Sequence, residues 1–264
     1  MKILFNKYEG AGNDFIVVRN TPKQIDPSDS QLSRRLCDRR FGIGSDGLIL
    51  IEDCDGYDFR MIFINPDGSR GAMCGNGGRC ASHFVMSQIT GFRDLAFMAD
   101  DGPHKARSLG GDQVEISIGD VNGMRKTADG VVVNTGVPHL VVFTSDTGNI
   151  DVVSEGRRLR NSKLYAPDGV NVNFVQIDGD SIKIRTYERG VEDETLACGT
   201  GVTASVIAAA MTGKIVTNNP VVKARGGTLS VSYTLNADNA TDILLRGPAT
   251  FVFSGEIEST GGII

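Results

Sequence analysis

The chain has 264 residues, 40% of them hydrophobic and 22% charged, with a formal net charge of −5. That composition excludes disordered and fibrous classes, and no apolar stretch reaches the roughly 18 residues that a membrane span requires. A chain this long should bury about 70–75% of the surface its unfolded form exposes, enough for one large domain or two modest ones.

From the N-terminus onwards, most of the sequence consists of short apolar or alternating runs between turn signals, which predict strands. They fall at 2–8, 14–19, 48–52, 58–64, 94–99, 113–118, 131–134 and 140–144. The second half adds 172–177, 181–187, 221–224, 228–234, 242–246 and 250–257. Asp178-Gly179 between two apolar runs predicts a hairpin. Helices are few, at 29–39, 78–89, 154–161 and 200–212. Arg34, Arg35, Arg39 and Arg40 are the densest basic cluster, but Asp38 interrupts it. This reads as a solvated helix face, so no nucleic-acid partner is expected. The run from Gly42 through Gly44 to Gly47 fits G-x-G-x-x-G, yet it follows a helix and opens a strand, the reverse of a dinucleotide fingerprint.

The five cysteines (Cys37, Cys54, Cys74, Cys80, Cys198) are odd in number and scattered, without a CxxC. Structural zinc is therefore not expected. Cys37, Cys54 and Cys80 read as small buried hydrophobes. His83 reads as a packing or surface residue and His104 as a turn residue. The apolar run at the N-terminus is too short for a signal peptide, so a soluble, cytoplasmic protein with no membrane partner is expected.

Cys74 and Cys198 stand apart because of their surroundings. Residues 73–77 read Met-Cys-Gly-Asn-Gly and 197–201 read Ala-Cys-Gly-Thr-Gly. Each follows a strand ending in polar residues and precedes a small, apolar helix, which suggests two similar lobes, each presenting one Cys-Gly-x-Gly turn. A helix start leaves about four N–H groups unpartnered and carries roughly half a positive charge. A cysteine there can have its pKa lowered from about 8.5 towards 7 or below, while the glycines leave the N–H groups open to an anion. One such turn suits a nucleophile. Two facing each other suit a two-base racemase, in which one thiolate takes an α-proton and the opposite thiol returns one, with no pyridoxal phosphate or metal. From the turns alone, two cysteines buried in Gly-rich turns without chemistry is an equal alternative.

Four segments bring in a family. Residues 7–15 (Lys-Tyr-Glu-Gly-Ala-Gly-Asn-Asp-Phe), 73–80 (Met-Cys-Gly-Asn-Gly-Gly-Arg-Cys), 187–201 around Glu188-Arg189 and Cys198, and 247–253 (Gly-Pro-Ala-Thr-Phe-Val-Phe) resemble, in order, the motifs of the diaminopimelate epimerases. The resemblance implies that Cys74 and Cys198 are the catalytic acid/base pair, with Gly75, Asn76, Gly199 and Thr200 binding the reacting carboxylate. It implies that His139, in a supporting role, and the substrate-binding Glu188 sit near the reacting centre, holding its ammonium and tuning the thiols, and that Asn13, Asn65, Asn171 and Arg189 grip the distal end of the substrate. It implies an α+β fold of two pseudo-symmetric strand-rich lobes, each wrapped around a central helix. The first lobe would be 1–118, carrying Cys74 and completed by about 254–264; the second would be 119–253, carrying Cys198. The expected activity is cofactor-independent epimerisation of LL-2,6-diaminopimelate to the meso form, for lysine and peptidoglycan precursor synthesis, by a homodimer.

Three departures bear on selectivity: Val137 stands where the family often has Asn, Gly47 where many members have Gln, and the 190–195 loop looks about one residue longer and more acidic. Another amino-acid racemase on the same scaffold, or a thiol-redox or non-catalytic protein, are the rival readings.

Overall fold

A computed structural model of the chain describes residues 2–258. The chain divides into two compact units, one built from residues up to Ile116 and again from Pro248, the other from Ser117–Gly247. Of the segment 254–264 expected to complete the first lobe, residues 259–264 lie outside the described ones.

In the first unit Lys2–Gly10 pairs antiparallel with Thr250–Glu258 on one side and Asn13–Arg19 on the other. The sheet continues through Gly47–Cys54, parallel to Asn13–Arg19, and then antiparallel Tyr57–Ile64. Asp94–Ala99 runs parallel to Tyr57–Ile64, and Gly102–Gly110 and Gln113–Ser117 follow antiparallel. Helix α1 (Ser30–Cys37) forms the parallel crossover, its first turn capped by Asp29, which accepts from the Leu32 N–H. It packs Leu36 and Cys37 on Ile16, Val18, Leu48, Leu50, Ile62 and Ile64. Side chains alternate across a strand, so Ile49 and Met61 point the other way, onto helix α2 (Gly75–Val85). Strand Gly47–Cys54 is accordingly buried on both faces over its first six residues, as a strand between two helical layers must be. Gly77 and Gly78 bring α2 down onto the sheet: a Cβ at Gly77 would lie 3.2 Å from Ile49 Cδ1, and one at Gly78 3.2 Å from Ile116 Cδ1.

The second unit repeats these moves. Pro138–Phe143 leads through helix α3 (Val152–Arg160, capped by Asp151) to the parallel strand Asn171–Asp178 and back along Ser181–Glu188. The expected hairpin at Asp178-Gly179 is present, with Gly179 at φ 60°. Helix α4 (Gly199–Met211) then precedes Val221–Ala224, parallel to Ser181–Glu188, and the antiparallel strands Gly227–Asn236 and Asn239–Pro248. α3 packs Val152 and Leu159 against Leu140, Val172, Phe174 and Tyr187. α4 is apolar all round and buried from Gly201 to Ala209, the pattern of a helix enclosed by its own sheet. Each unit is thus a strand layer around one central helix.

Several expectations need correction. α2 begins at Gly75, not 78, because packing overrides the low helix propensity of the glycines there. Gly102–Gly110 is a strand despite its Gly-Pro start, and His104 within it is no turn residue: it is buried, stacked on Phe97 at 5.2 Å, with Nε2 3.1 Å from Asp101 Oδ1. Cys54, at the end of a hairpin strand, is only half-buried, whereas Cys37 and Cys80 are buried as expected. Among the described residues no helix is long and apolar enough to cross a membrane.

Candidate active site

In each unit a cysteine occupies the position before the central helix. Cys74 and Cys198 both have extended backbone (φ −92°, ψ 122° and φ −115°, ψ 112°), and their carbonyls accept the first helical bonds, from Gly78 N at 2.7 Å and Val202 N at 2.8 Å. A residue so placed lies at the positive end of the helix dipole, where the next N–H groups point outwards. Gly75 and Asn76 open α2, and Gly199 and Thr200 open α4. The local sequence demands this: a polar strand end, then a cysteine, then residues too small to shield the helix start.

Around Cys74 the partners are amides. Its Sγ lies 3.9 Å from Asn13 Oδ1, which accepts from Asn76 Nδ2 at 3.3 Å. Arg79, fully buried one turn further along α2, donates to Asn76 Oδ1 at 2.9 Å and to the carbonyls of Gly75 and Pro248, both at 3.2 Å. Those bonds fix the orientation of the Asn76 amide. Asn13 Nδ2 in turn donates to Asp46 at 2.6 Å, and Arg39 bridges Asp46 and Asp14. Burial alone would raise the Asp14 carboxyl, but Arg39 and Lys7 together outweigh it and bring it down to about 2. Lys7 also donates to the Gly44 carbonyl. Asn65, just beyond strand Tyr57–Ile64, donates through Nδ2 to Ser69 Oγ at 3.1 Å.

Around Cys198 the partners are a hydroxyl and an imidazole. Thr200 Oγ1 lies 3.4 Å from Cys198 Sγ and 3.0 Å from His139 Nε2. His139 is fully buried, in register with Asn171 on the adjacent parallel strand, and its Nδ1 lies 3.1 Å from Asn173 Nδ2. Asn171 Oδ1 accepts from the Arg189 N–H at 2.8 Å, and Arg189 Nη1 donates to the Asp168 carbonyl at 3.0 Å. Glu188 closes its strand, half-buried, in register with Asp193. Asn13, Asn76 and Cys74 therefore gather in the first unit, and His139, Thr200 and Cys198 in the second. Asn171, Glu188 and Arg189 lie beside the latter, where two neighbouring strands end.

Burial, and then the Arg189 charge, push the His139 imidazole down to about 3. Its unfolded value is near 6.5, so below that pH the unfolded chain binds a proton that the native state refuses. Stability contributed by the neutral ring is complete above about pH 6.5 and falls as the pH drops towards 3, at no more than about 1.4 kcal/mol per pH unit. Between pH 6.5 and 5 the expected loss is about 2 kcal/mol. Urea unfolding at the two pH values should show it in the native sequence and not in His139→Asn. Asp14 acts in a separate, more acidic window, below its ordinary carboxylate range.

A family model described as diaminopimelate epimerase matches residues 5–124 and 131–252. The chain belongs to the diaminopimelate epimerase family. A diaminopimelate epimerase of Flavobacterium psychrophilum is 44% identical over 252 residues, covering 95% of this chain and 98% of that protein. One of Chlorobaculum tepidum is 41% identical over 261 residues, covering 94% and 98%. Among solved structures, a Bacillus anthracis phenazine biosynthesis protein of the PhzF family superposes with a TM-score of 0.78 at 13% identity, covering 98% of this chain and 99% of that one. A probable proline racemase from Agrobacterium radiobacter K84 superposes at 0.72 with 17% identity, covering 97% and 93%. At those identities the likeness is one of fold, and it is the fold expected from the sequence.

Two of the departures from the diaminopimelate epimerase pattern have local explanations. A Cβ at Gly47 would lie 2.4 Å from the Phe63 ring, and one at Gly71 2.6 Å from it. The aromatic ring thus takes the space a longer residue at 47 would need. In the 190–195 loop, Glu192 accepts from Arg160 and Tyr187, both at 3.0 Å, and Glu194 lies between Arg185 at 2.7 Å and Arg225 at 3.0 Å. Glu192 and Glu194 are thus each held by arginine. Val137 is half-buried between Gly136 and Pro138, and nothing in its surroundings explains the loss of an amide. Sequence reasoning missed Arg79, Asp46 and Asn173, which touch the residues named above. Only Asn173 carried a signal, its position two after Asn171 on one strand face. Among the described residues no group of three or more His, Cys, Asp or Glu is placed to hold a metal.

Proposed function

We propose that this chain epimerises LL-diaminopimelate to the meso form without a cofactor, with Cys74 and Cys198 as the acid/base pair, as a step of lysine and peptidoglycan precursor synthesis. The observation that carries the reading is the repetition: each unit presents one cysteine at the start of its buried central helix. A helix N-terminus favours a thiolate and also binds a carboxylate. In the forward step one thiolate takes the α-proton, and the electron pair spreads into the α-carboxylate. The N–H groups of Gly75, Asn76, Gly199 and Thr200 hold the charge that develops there. The second thiol protonates the opposite face of the carbon. The α-carbon has exchanged one proton for another, and the two cysteines have exchanged protonation states. Asn13, Asn65, Asn171 and Arg189 would hold the distal amino-acid end, with the guanidinium clamping its carboxylate. Alignment over nearly the full length, at 44% and 41% identity, with proteins named diaminopimelate epimerase favours this substrate over a proline-like one.

The purified protein alone should convert LL-diaminopimelate to an LL/meso mixture, resolved by chiral chromatography, after exhaustive dialysis against EDTA. Activity that requires an added metal or pyridoxal phosphate would refute the cofactor-free reading.

We also propose a cytoplasmic homodimer. Strand Thr250–Glu258 pairs with Lys2–Gly10 and exposes Phe251, Val252 and Phe253, with Leu4 also exposed on the neighbouring strand. An exposed apolar patch of this kind is ordinarily covered. Sedimentation equilibrium should give twice the chain mass for the native protein and a lower mass for Phe251→Glu/Phe253→Glu.

A further inference from the structure

The bonds around Cys198 have a direction. Asn173 Nδ2 lies 3.3 Å from the Leu140 carbonyl, which can only accept, while Asn173 Oδ1 receives the Thr186 hydroxyl at 3.0 Å. The amide is therefore oriented with its NH2 group towards His139 Nδ1, 3.1 Å away. That nitrogen must accept, so the ring proton of the neutral imidazole sits on Nε2 and is donated to Thr200 Oγ1 at 3.0 Å. With its oxygen already accepting, the Thr200 hydroxyl is free to aim its own proton at Cys198 Sγ, 3.4 Å away. Gly201 makes room for this arrangement: a Cβ there would lie 2.4 Å from Asn173 Oδ1.

We propose that the Thr200 side chain, oriented through His139 by Asn173, donates a hydrogen bond to the Cys198 thiolate and holds that thiol in its ionised form. Asn173 and His139 are then positioning residues, and Thr200 contributes its hydroxyl as well as its backbone N–H. The inference rests on the proposed role of Cys198 as a proton-transfer group. The charged groups on the elements packed against α4 are largely paired elsewhere: Lys183 with Asp178 at 3.0 Å, and Arg185 with Glu194 at 2.7 Å. The hydroxyls of Tyr187 and Tyr233 donate to Glu192 and to the Thr217 carbonyl, at 3.0 and 2.9 Å. Glu188 and Arg189, of opposite charge, lie near the Cys198 end.

The test is the pH midpoint of iodoacetamide labelling at Cys198, quantified by peptide mass spectrometry on the full-length protein. The midpoint reports ionisation and is insensitive to how open the thiol is. Thr200→Val, nearly the same shape, should raise the Cys198 midpoint by about one pH unit or more, the effect of losing one bond to a charged group. Thr200→Ser should restore it, and the Cys74 midpoint should stay in place in both. Because the chain has only three histidines, long-range 15N–1H correlation spectra of the native protein can also assign the His139 tautomer without any substitution. A proton on Nε2 is expected. An Nδ1–H tautomer, or a Cys198 midpoint unmoved in a folded Thr200→Val protein, would overturn the proposal. Turnover of diaminopimelate is scored separately. A shifted midpoint without turnover would leave the relay standing and remove the function, and turnover with an unmoved midpoint would do the reverse.

Discussion

Cys74→Ala and Cys198→Ala are each expected to lower epimerase turnover by about 10³-fold or more, since each removes one of the two proposed proton-transfer groups. A serine at either position should recover little, because a hydroxyl is a far weaker base near neutral pH. The other three thiols provide the contrast. Cys80 is fully buried beside Gly10, and burial pushes its thiol well above the ordinary range. Cys37 is likewise raised by burial, and accepts from Ser45 Oγ at 3.3 Å. Both are packing groups. Alanine at Cys37, Cys54 or Cys80 should cost about 1–2 kcal/mol of stability at most and leave turnover near normal. The measurement is turnover of LL-diaminopimelate by the five single-alanine proteins at equal folded concentration. Near-normal turnover in Cys74→Ala or Cys198→Ala would refute the acid/base assignment.

Lysine, which lacks the second carboxylate, should be a far poorer substrate than diaminopimelate. Its reacting end is identical, so the helix starts and the thiols would treat it alike. The difference lies in the distal contacts assigned to Asn65, Asn171 and Arg189. Losing a charge-assisted bond in a desolvated site, with the donors then facing no carboxylate, costs about 2–3 kcal/mol, or roughly 30- to 150-fold in kcat/KM. Arg189→Lys should lose much of that discrimination, because an ammonium cannot match a carboxylate with two parallel bonds. Comparable kcat/KM values for lysine and diaminopimelate would move the distal subsite away from these residues.

What could be read in the sequence was local. Both cysteine turns are visible because the glycines and the following small residues sit next to the cysteine in the chain, where dipole arguments apply directly. The central helices are visible because α4 is a long apolar run, although the start of α2 is blurred by its three early glycines. Strand Gly102–Gly110 is hidden, since its Gly-Pro opening and polar residues give no alternation, and its pairing with Asp94–Ala99 forms it. The supporting shells are hidden for the same reason. Asp46 reaches Asn13 from 33 positions away, and Asn173 reaches His139 from 34. Such contacts follow from strand register, of which the sequence carries no more than the two-residue spacing of Asn171 and Asn173 on one strand face. Arg79 is the clearest case: an arginine in a helix ordinarily reads as a surface group, yet here it is fully buried and bonded to two carbonyls and an amide.

The most direct test of proton transfer between two thiols is a single-pass reaction of LL-diaminopimelate in D2O, with isotopic content and configuration read together at the earliest times. With one cysteine removing the proton and the other delivering a solvent-derived deuteron, the first meso product should carry one deuterium at the inverted carbon while the remaining LL substrate carries almost none. Meso product that retains the substrate's own protium, or LL substrate that acquires deuterium as fast as product forms, would show one base serving both faces and contradict the two-cysteine account.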